Sequence, residues 1–382
     1  MKTHFAIIGD IHFGIPETER LYQELGLFIE FIKNNEVDVI QINGDYFHRK
    51  LSLTESATIR SIEFFNRILE IAVEKKIKIR IIEGTMSHDL MMPEILEEIA
   101  SHTDVDFKFI RTCDTETING IDILYIPEEY PLNAEEFYHP FRFNEDGSYK
   151  QYDLIFMHGM LDNTGLSMLE NKANSNTEHS APFFVCDDWV KNIEHGKCFA
   201  SHYHARQVSK DDKFIYIGSY TAWSFVQVSE KGWGYAVVDS ETHTVDYSLP
   251  VNTLAPHYVD IKIEDLGLDL EKTSADKIVE AINKYKEDHK IDYFKIFVSA
   301  LSIDKLELLK KTYSNNKNII IETKERKMLK TSNSNTTKEL ENKYQYILDD
   351  KMPIAETVHR YIKEEYKEDV AVPLISSTIS EA

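Results

Sequence analysis

The fold class this sequence predicts is α/β: a two-sheet α/β sandwich, with a small separate α/β module and a C-terminal helical tail. Three observations predict it. Short apolar runs alternate with amphipathic helical stretches through roughly the first hundred residues, as in a sheet covered by helices. Beyond about residue 105 the runs become strand-rich, which calls for a second sheet packed on the first. After residue 256 a strand–helix–strand–helix–strand pattern restarts as a separate small unit.

The elements follow in order. Residues 4–9 read as a strand, 18–34 as an amphipathic helix, 37–43 (VDVIQIN) as a strand and 54–75 as a helix. Residues 77–83 read as a strand and 93–101 as a short helix. The second sheet draws on FKFIR, IDILYIP, YDLIFMHG, KCFASHYHA, KFIYIGS and GYAVVD. The polar stretch 163–182 reads as a loop or lid. YVDIKIE, SADKIVEAINKYKED, YFKIFVSA, IDKLELLKKTY and NIIIET build the small module, and TSNSNTT (331–337) is a linker. Two amphipathic helices follow, one lined by Leu340, Tyr344, Ile347 and Leu348, the other by Ile354, Val358, Tyr361 and Ile362. They dock either on the chain's own body or on a partner. The expected boundaries are 1–250, 251–327 and 328–382.

The bulk composition narrows the class. At 382 residues the chain exceeds an ordinary single domain. With 42% hydrophobic and 28% charged residues it reads as globular and soluble. No apolar run approaches the length of a membrane span, and the N-terminus lacks a signal peptide's apolar core. Three scattered cysteines, Cys113, Cys186 and Cys198, fit a reducing cytoplasm and form no zinc pattern. The net charge of −22 excludes a protein that grips nucleic acid over its whole surface. Any such binding would need a local patch, bound cations or a partner.

Chemistry is concentrated where His and Asp follow strands. Asp10 and His12 follow the first strand, Asp45 the second (NGDYFH) and His88 the third (GTMSHD). His158 follows a later strand (FMHG), and His202 and His204 another (ASHYHA). Ligand sites in open α/β sheets form at the carboxyl ends of strands, and an i, i+2 pair there points to one side. Each piece alone is weak; the series is far stronger. Imidazole and carboxylate without thiolate suit Mn²⁺, Fe²⁺, Zn²⁺ or Mg²⁺. The ligands exceed one ion's need and match a two-metal site with ions about 3.5–4 Å apart. Phosphate ester hydrolysis is the reaction class these residues reach.

The series D-x-H, G-D-x-x-H, G-(x)-H-D, H-G and H-x-H resembles the calcineurin-like metallophosphoesterases. GDYFHRK, with its His three residues after the Asp, resembles the SbcD-type nucleases of double-strand-break repair. So does IYIGSYTAWSFVQVSEKGWGYAVVD (215–239). The likeness is specific over 5–239 and looser beyond. Short length and the Ser-His-Asp variant resemble phage recombination endonuclease subunits.

The resemblance implies Asp10, His12, Asp45, His158, His202 and His204 as metal ligands, with Asp45 bridging. It implies His88 and His48 as the catalytic pair that does not ligate. It implies two divalent ions, Mn²⁺ first and Mg²⁺ as the alternative. The function implied is a DNA exonuclease and endonuclease subunit in repair or recombination. Its partners would be DNA, an SMC-like SbcC-type coiled-coil ATPase bound through residues 336–367, and a second copy of the chain. The dimer helices would come from LYQELGLFIEFI and TESATIRSIEFFNRILEI.

One departure stands out: Ser87 occupies the place of the family's Asn, in a loop one or two residues longer. A hydroxyl is a weaker ligand than an amide oxygen, so Ser87 is a candidate ligand with three outcomes open (direct binding, binding through water or a vacancy), and the second ion is expected to be held loosely. Phe13, Tyr46, Phe47 and Tyr203 are candidates for stacking on bases, with packing the expected role of Phe47. A small-molecule or cyclic-nucleotide phosphodiesterase and a non-catalytic scaffold are the other readings.

Overall fold

The computed structural model describes residues 1–162, 183–185, 189–225, 229–298 and 301–323, with scattered positions between 356 and 372. The polar stretch 163–182, the 331–337 linker and the eight apolar side chains assigned to the tail helices all lie outside the described residues. Met1–Glu322 forms one compact unit and Thr323–Ala382 another.

Two six-stranded sheets form the body. The first has a parallel centre of β1 (Lys2–Ile8), β2 (Val39–Asn43), β3 (Lys78–Ile82) and β4 (Phe107–Ile110). Antiparallel β13 (Gly234–Asp239) and β14 (Thr244–Ser248) extend it beside β1, giving the order β14-β13-β1-β2-β3-β4. In the second sheet β6 (Ile121–Ile126), β7 (Leu154–His158), β10 (Lys197–Ser201) and β12 (Phe214–Tyr216) are parallel. Its edges, β5 (Asp114–Ile118) and β11 (Gln207–Val208), are antiparallel, and the order is β11-β12-β10-β7-β6-β5. Between β7 and β10 a separate short pair joins β8 (Met160–Asp162) to β9 (Phe183–Val185).

Side-chain alternation builds three cores from these strands. Phe5 and Ile7 of β1 face inward and meet Ile123, Tyr125, Leu154, Phe156 and Phe199 of the second sheet. Ala6 and Ile8 face outward, under α1 (Thr18–Glu24), α2 (Gly26–Asn34), α3 (Ser56–Lys75) and α4 (Glu94–Ser101). Leu124, Ile126, Ile155 and Cys198 face outward on the second sheet, under α5 (Ala134–Arg142) and Trp189. Both sheets are thus covered on both faces, as parallel strands require.

A third sheet joins parallel β15 (Tyr258–Lys262) and β16 (Tyr293–Val298) to β17 (Ile319–Thr323). With α6 (Ala275–Asp288) and α7 (Ile303–Tyr313) it has its own core around Ile278, Ile282, Phe294 and Leu309. The expected five-element pattern is present in full.

Four details differ from expectation. FKFIR and GYAVVD, read into the second sheet, instead supply β4 and β13 of the first, where they pair with β3 and β1; an apolar run marks a strand but not the sheet it joins. The helix read over 18–34 divides at Leu25. The Tyr220 hydroxyl donates to the Glu24 carbonyl at 2.6 Å, and Gly26 is a poor helix former, costing about 1 kcal/mol. Helix α5 arises inside a stretch read as strand-rich, started by Asn133, whose side chain accepts from the Glu136 amide. The edge strands β5 and β14 were not foreseen, because partly exposed edges carry no continuous apolar run.

Candidate metal centre

Nine His, Asp and Glu side chains converge at the carboxyl ends of six parallel strands. Asp10 and His12 come from β1, Asp45 and His48 from β2, and His88 from β3. Glu128 comes from β6, His158 from β7, and His202 and His204 from β10. Loops from the first two strands interlock: the His12 amide donates to the Asp45 carbonyl at 2.9 Å, and the His48 amide to the Phe13 carbonyl at 2.8 Å. Asp10, His12, Asp45 and His202 all have left-handed backbones, with φ of 46°, 59°, 48° and 97°. Such strain clusters where geometry serves function rather than stability.

The first cluster centres on His12. Its Nε2 lies 3.0 Å from His204 Nε2, and its Nδ1 lies 3.3 Å from His48 Nδ1. His88 and Trp223 meet the same ring edge-on, at centroid distances of 4.9 and 4.8 Å. The donor atoms of Asp10, His12 and His204 lie within 4.8 Å of one another, as do those of His12, His48 and His88. Both oxygens of Asp10 accept from the His202 amide at 3.1 Å. Burial pushes His12 well below the ordinary imidazole range and His204 down to about 3. Burial also lifts Asp10 to about 6, with Asp45 adding to the rise.

The second cluster is richer in oxygen. Asp45 Oδ2 lies 3.6 Å from His12 Nε2 and 3.4 Å from His158 Nε2, between the two clusters. His158 Nδ1 is 2.7 Å from the Asn43 carbonyl oxygen, so Nδ1 carries the proton and Nε2 faces the site. Burial disfavours the His158 cation, but the adjacent Asp45 charge outweighs it and raises the ring to about 10. Asp45 moves the opposite way: burial opposes its ionisation, and His158 more than offsets this, leaving it far below the carboxylate range. Glu128 Oε2 sits 3.1 Å from His202 Nδ1.

Glycines permit this packing. A Cβ on Gly44 (φ 73°) would fall 2.4 Å from His158 Nδ1, and one on Gly84 would fall 2.2 Å from the Asp45 amide nitrogen. Asp89 ties the loops together. It is fully buried and accepts from the amides of Asp45, Phe47 and Gly84 at 2.9–3.0 Å.

The structure brings together Asp10, His12, Asp45, His48, His88, His158, His202 and His204. It does not bring Ser87, whose exposed side chain lies outside these groups. The expectation of a Ser87 ligand is therefore corrected. The amides of His88 and Asp89 both turn back to the Thr85 carbonyl, at 2.8 and 3.0 Å, looping Met86 and Ser87 out to solvent. Thr85 is the hydroxyl inside: its Oγ1 is 2.9 Å from Glu128 Oε2 and 3.4 Å from His158 Nε2. Glu128, Thr85 and Trp223 escaped sequence reasoning. The stacking role considered for Phe13, Tyr46 and Phe47 is also corrected, since all three are fully buried. Tyr203 is partly buried and packs edge-on to Tyr216.

The donor set fits divalent cations. Imidazole nitrogens face each other at 3.0 and 3.3 Å, and three buried carboxylates adjoin them. Lys231, a neighbouring cation, spends its ammonium on the His204 carbonyl and the Ser229 hydroxyl. The profile of the calcineurin-like phosphoesterases matches residues 3–214. The chain belongs to the calcineurin-like phosphoesterase family. That span contains all nine groups, and calcineurin-like phosphoesterases are hydrolases that typically hold two divalent ions in such donors. No curated protein sequence matches the chain. Of solved structures, the crystal structure of TT1561 of Thermus thermophilus aligns at 10% identity and a TM-score of 0.37, covering 65% of this chain and 99% of that one. A second solved structure aligns over the same shares at 10% identity and a TM-score of 0.36. No helix among the described residues is long and apolar enough to cross a membrane.

Proposed function

We propose that this phosphoesterase is a Mn²⁺-dependent DNA nuclease subunit, exonuclease and endonuclease, acting in repair or recombination. The observation that carries the reading is the convergence of eight foreseen groups from five strand ends, with the Asp45–His48 spacing of SbcD-type nucleases. Asp10, His12 and His204 would hold one ion, and His158 and His202 the second, with Asp45 Oδ2 facing both. The ions, when bound, acidify water and neutralise phosphoryl charge.

The chain's residues do the rest. His88 Nδ1 is held by the His48 carbonyl oxygen, which leaves Nε2 to hydrogen-bond a phosphoryl oxygen or to deliver a proton to the leaving alkoxide. The His48 ring stacks on His88 at a centroid distance of 5.3 Å and keeps that orientation. A cleft of about 590 Å³, lined by residues 14–19, 48, 49 and 55–57, opens beside His48 and gives a strand room to approach.

The acidic surface fits a subunit whose partner supplies much of the DNA affinity, an SMC-like SbcC-type ATPase docked through 336–367. α1–α3 are the proposed surface for a homodimer. The test is incubation with Mn²⁺ and end-labelled duplex or single-stranded DNA, beside a chromogenic phosphodiester. DNA cleavage lost in His88→Ala supports the nuclease. Turnover of the chromogenic ester without DNA cleavage replaces it with a small-molecule phosphodiesterase, and no turnover with any divalent metal indicates a scaffold.

A further inference from the structure

We propose that Glu128 is an additional ligand of the second divalent ion, supplying a carboxylate where the third motif offers no amide. The inference rests on the two-ion reading above. Glu128 follows β6, and its amide donates to the Glu83 carbonyl at 3.4 Å, joining a loop of the second sheet to the end of β3 in the first. Its side chain is completely buried. A carboxylate sealed from water requires compensation. Here its neighbours are His202 Nδ1 at 3.1 Å, Thr85 Oγ1 at 2.9 Å and His158 Nε2 at 3.7 Å, while Tyr130 donates its phenol to the other oxygen.

The His158 geometry separates a ligand from a mere hydrogen-bond acceptor. With Nδ1 committed to the Asn43 carbonyl, His158 presents Nε2 to both Asp45 and Glu128, at 3.4 and 3.7 Å. A charge-assisted hydrogen bond closes to about 2.7–2.9 Å. The ring donates to neither at that range; all three atoms instead face a shared space. The donor atoms of Glu128, His158 and His202 lie within 4.8 Å of one another, the spacing of groups that surround one ion. Asp45 adds a second carboxylate, so the set is two oxygens and two imidazoles, suited to Mn²⁺ or Zn²⁺. Thr85 and Tyr130 are positioning residues, each fixing one Glu128 oxygen. A weakly held second ion, expected from Ser87, gives way to an anionic and tighter site.

The experiment counts ions. The metal-stripped full chain is titrated with Mn²⁺ while free ion is followed by electron paramagnetic resonance, and unfolding of each protein is recorded with and without Mn²⁺. The wild type and Ser87→Ala are expected to bind two ions alike. Glu128→Ala should keep the first and weaken the second by roughly 10–100-fold or more, and Tyr130→Phe should weaken it less. Glu128→Gln, which preserves shape, should melt like the wild type without metal yet gain less from Mn²⁺. If both Glu128 variants bind two ions with wild-type affinities, or if Glu128→Gln loses metal-free stability but no ion affinity, Glu128 is structural and the inference is wrong. A wild type that binds fewer than two ions overturns the two-ion reading as well, which distinguishes the two failures.

Discussion

Strand β3 serves two clusters of charge, one at its middle and one past its C-terminal end, and the two are solved differently. At its middle, Arg80 is 2% exposed and all five of its N–H groups are used. Nε and Nη2 grip Glu116 at 2.8 and 2.7 Å, Nη2 also reaches Asp106 at 2.8 Å, and Nη1 donates to the carbonyls of Ile79 and Asp106. Past its C-terminal end, Gly84–Asp89 enters a cluster of imidazoles and carboxylates whose ligand atoms lie within 4.8 Å of one another in groups of three. One cluster is closed by its own side chains and serves stability. The other presents donor groups suited to divalent cations, as the calcineurin-like phosphoesterase family typically holds. Buried charge alone does not mark a function; charge without a side-chain counterpart is the informative pattern.

The largest expected contrast comes from one substitution in each cluster. His88→Ala should lower phosphodiester turnover by about 10²–10⁴-fold while leaving thermal unfolding and ion count near wild type. Arg80→Met should do the reverse. It should cost about 2–3 kcal/mol in denaturant unfolding, discounted because both carboxylates keep water contact, with turnover per folded molecule unchanged. Equal effects of both substitutions on turnover would erase the distinction.

Removal of metal sharpens the same contrast. At about a hundred times the dissociation constant, bound ion stabilises by about 2.7 kcal/mol. Excess chelator should lower the unfolding midpoint of wild type and of Arg80→Met by the same increment, as measured by scanning calorimetry.

Acid probes the closed cluster. Burial would raise Glu116, but the hydrogen bonds and charge of Arg80 outweigh it and hold the carboxyl below its ordinary value. For Asp106, burial is likewise outweighed, first by the hydrogen bond from Lys78 and then by Arg80, and the carboxyl is again depressed. A depressed carboxylate contributes stability above its unfolded value, about 4, and loses it as pH falls through the folded value. The stability difference between wild type and Arg80→Met should therefore shrink below about pH 4 and stay constant from about 5 to 7. A difference that grows in acid would contradict the pairing.

Much of this was legible beforehand. Strands such as VDVIQIN and YDLIFMHG announce themselves because parallel strands covered on both faces are apolar throughout, and His and Asp just past them mark a ligand-binding edge. Glu128 was not legible, because in IPEEYP it reads as ordinary surface charge; only the pairing of β6 with β7 brings it beside His158. Ser87 was misassigned because counting back one position from His88 assumes a taut loop. The turn closed on the Thr85 carbonyl makes Thr85, not Ser87, the inward hydroxyl.

Asp89 carries one more consequence. Its carboxylate collects amides from the loops that follow β2 and β3, so those loops share a single fastening. A one-residue slip between these strands would reverse every side chain in the slipped strand and strip the fastening of its amides. The register of the first sheet and the geometry of the candidate metal centre are thus one and the same constraint.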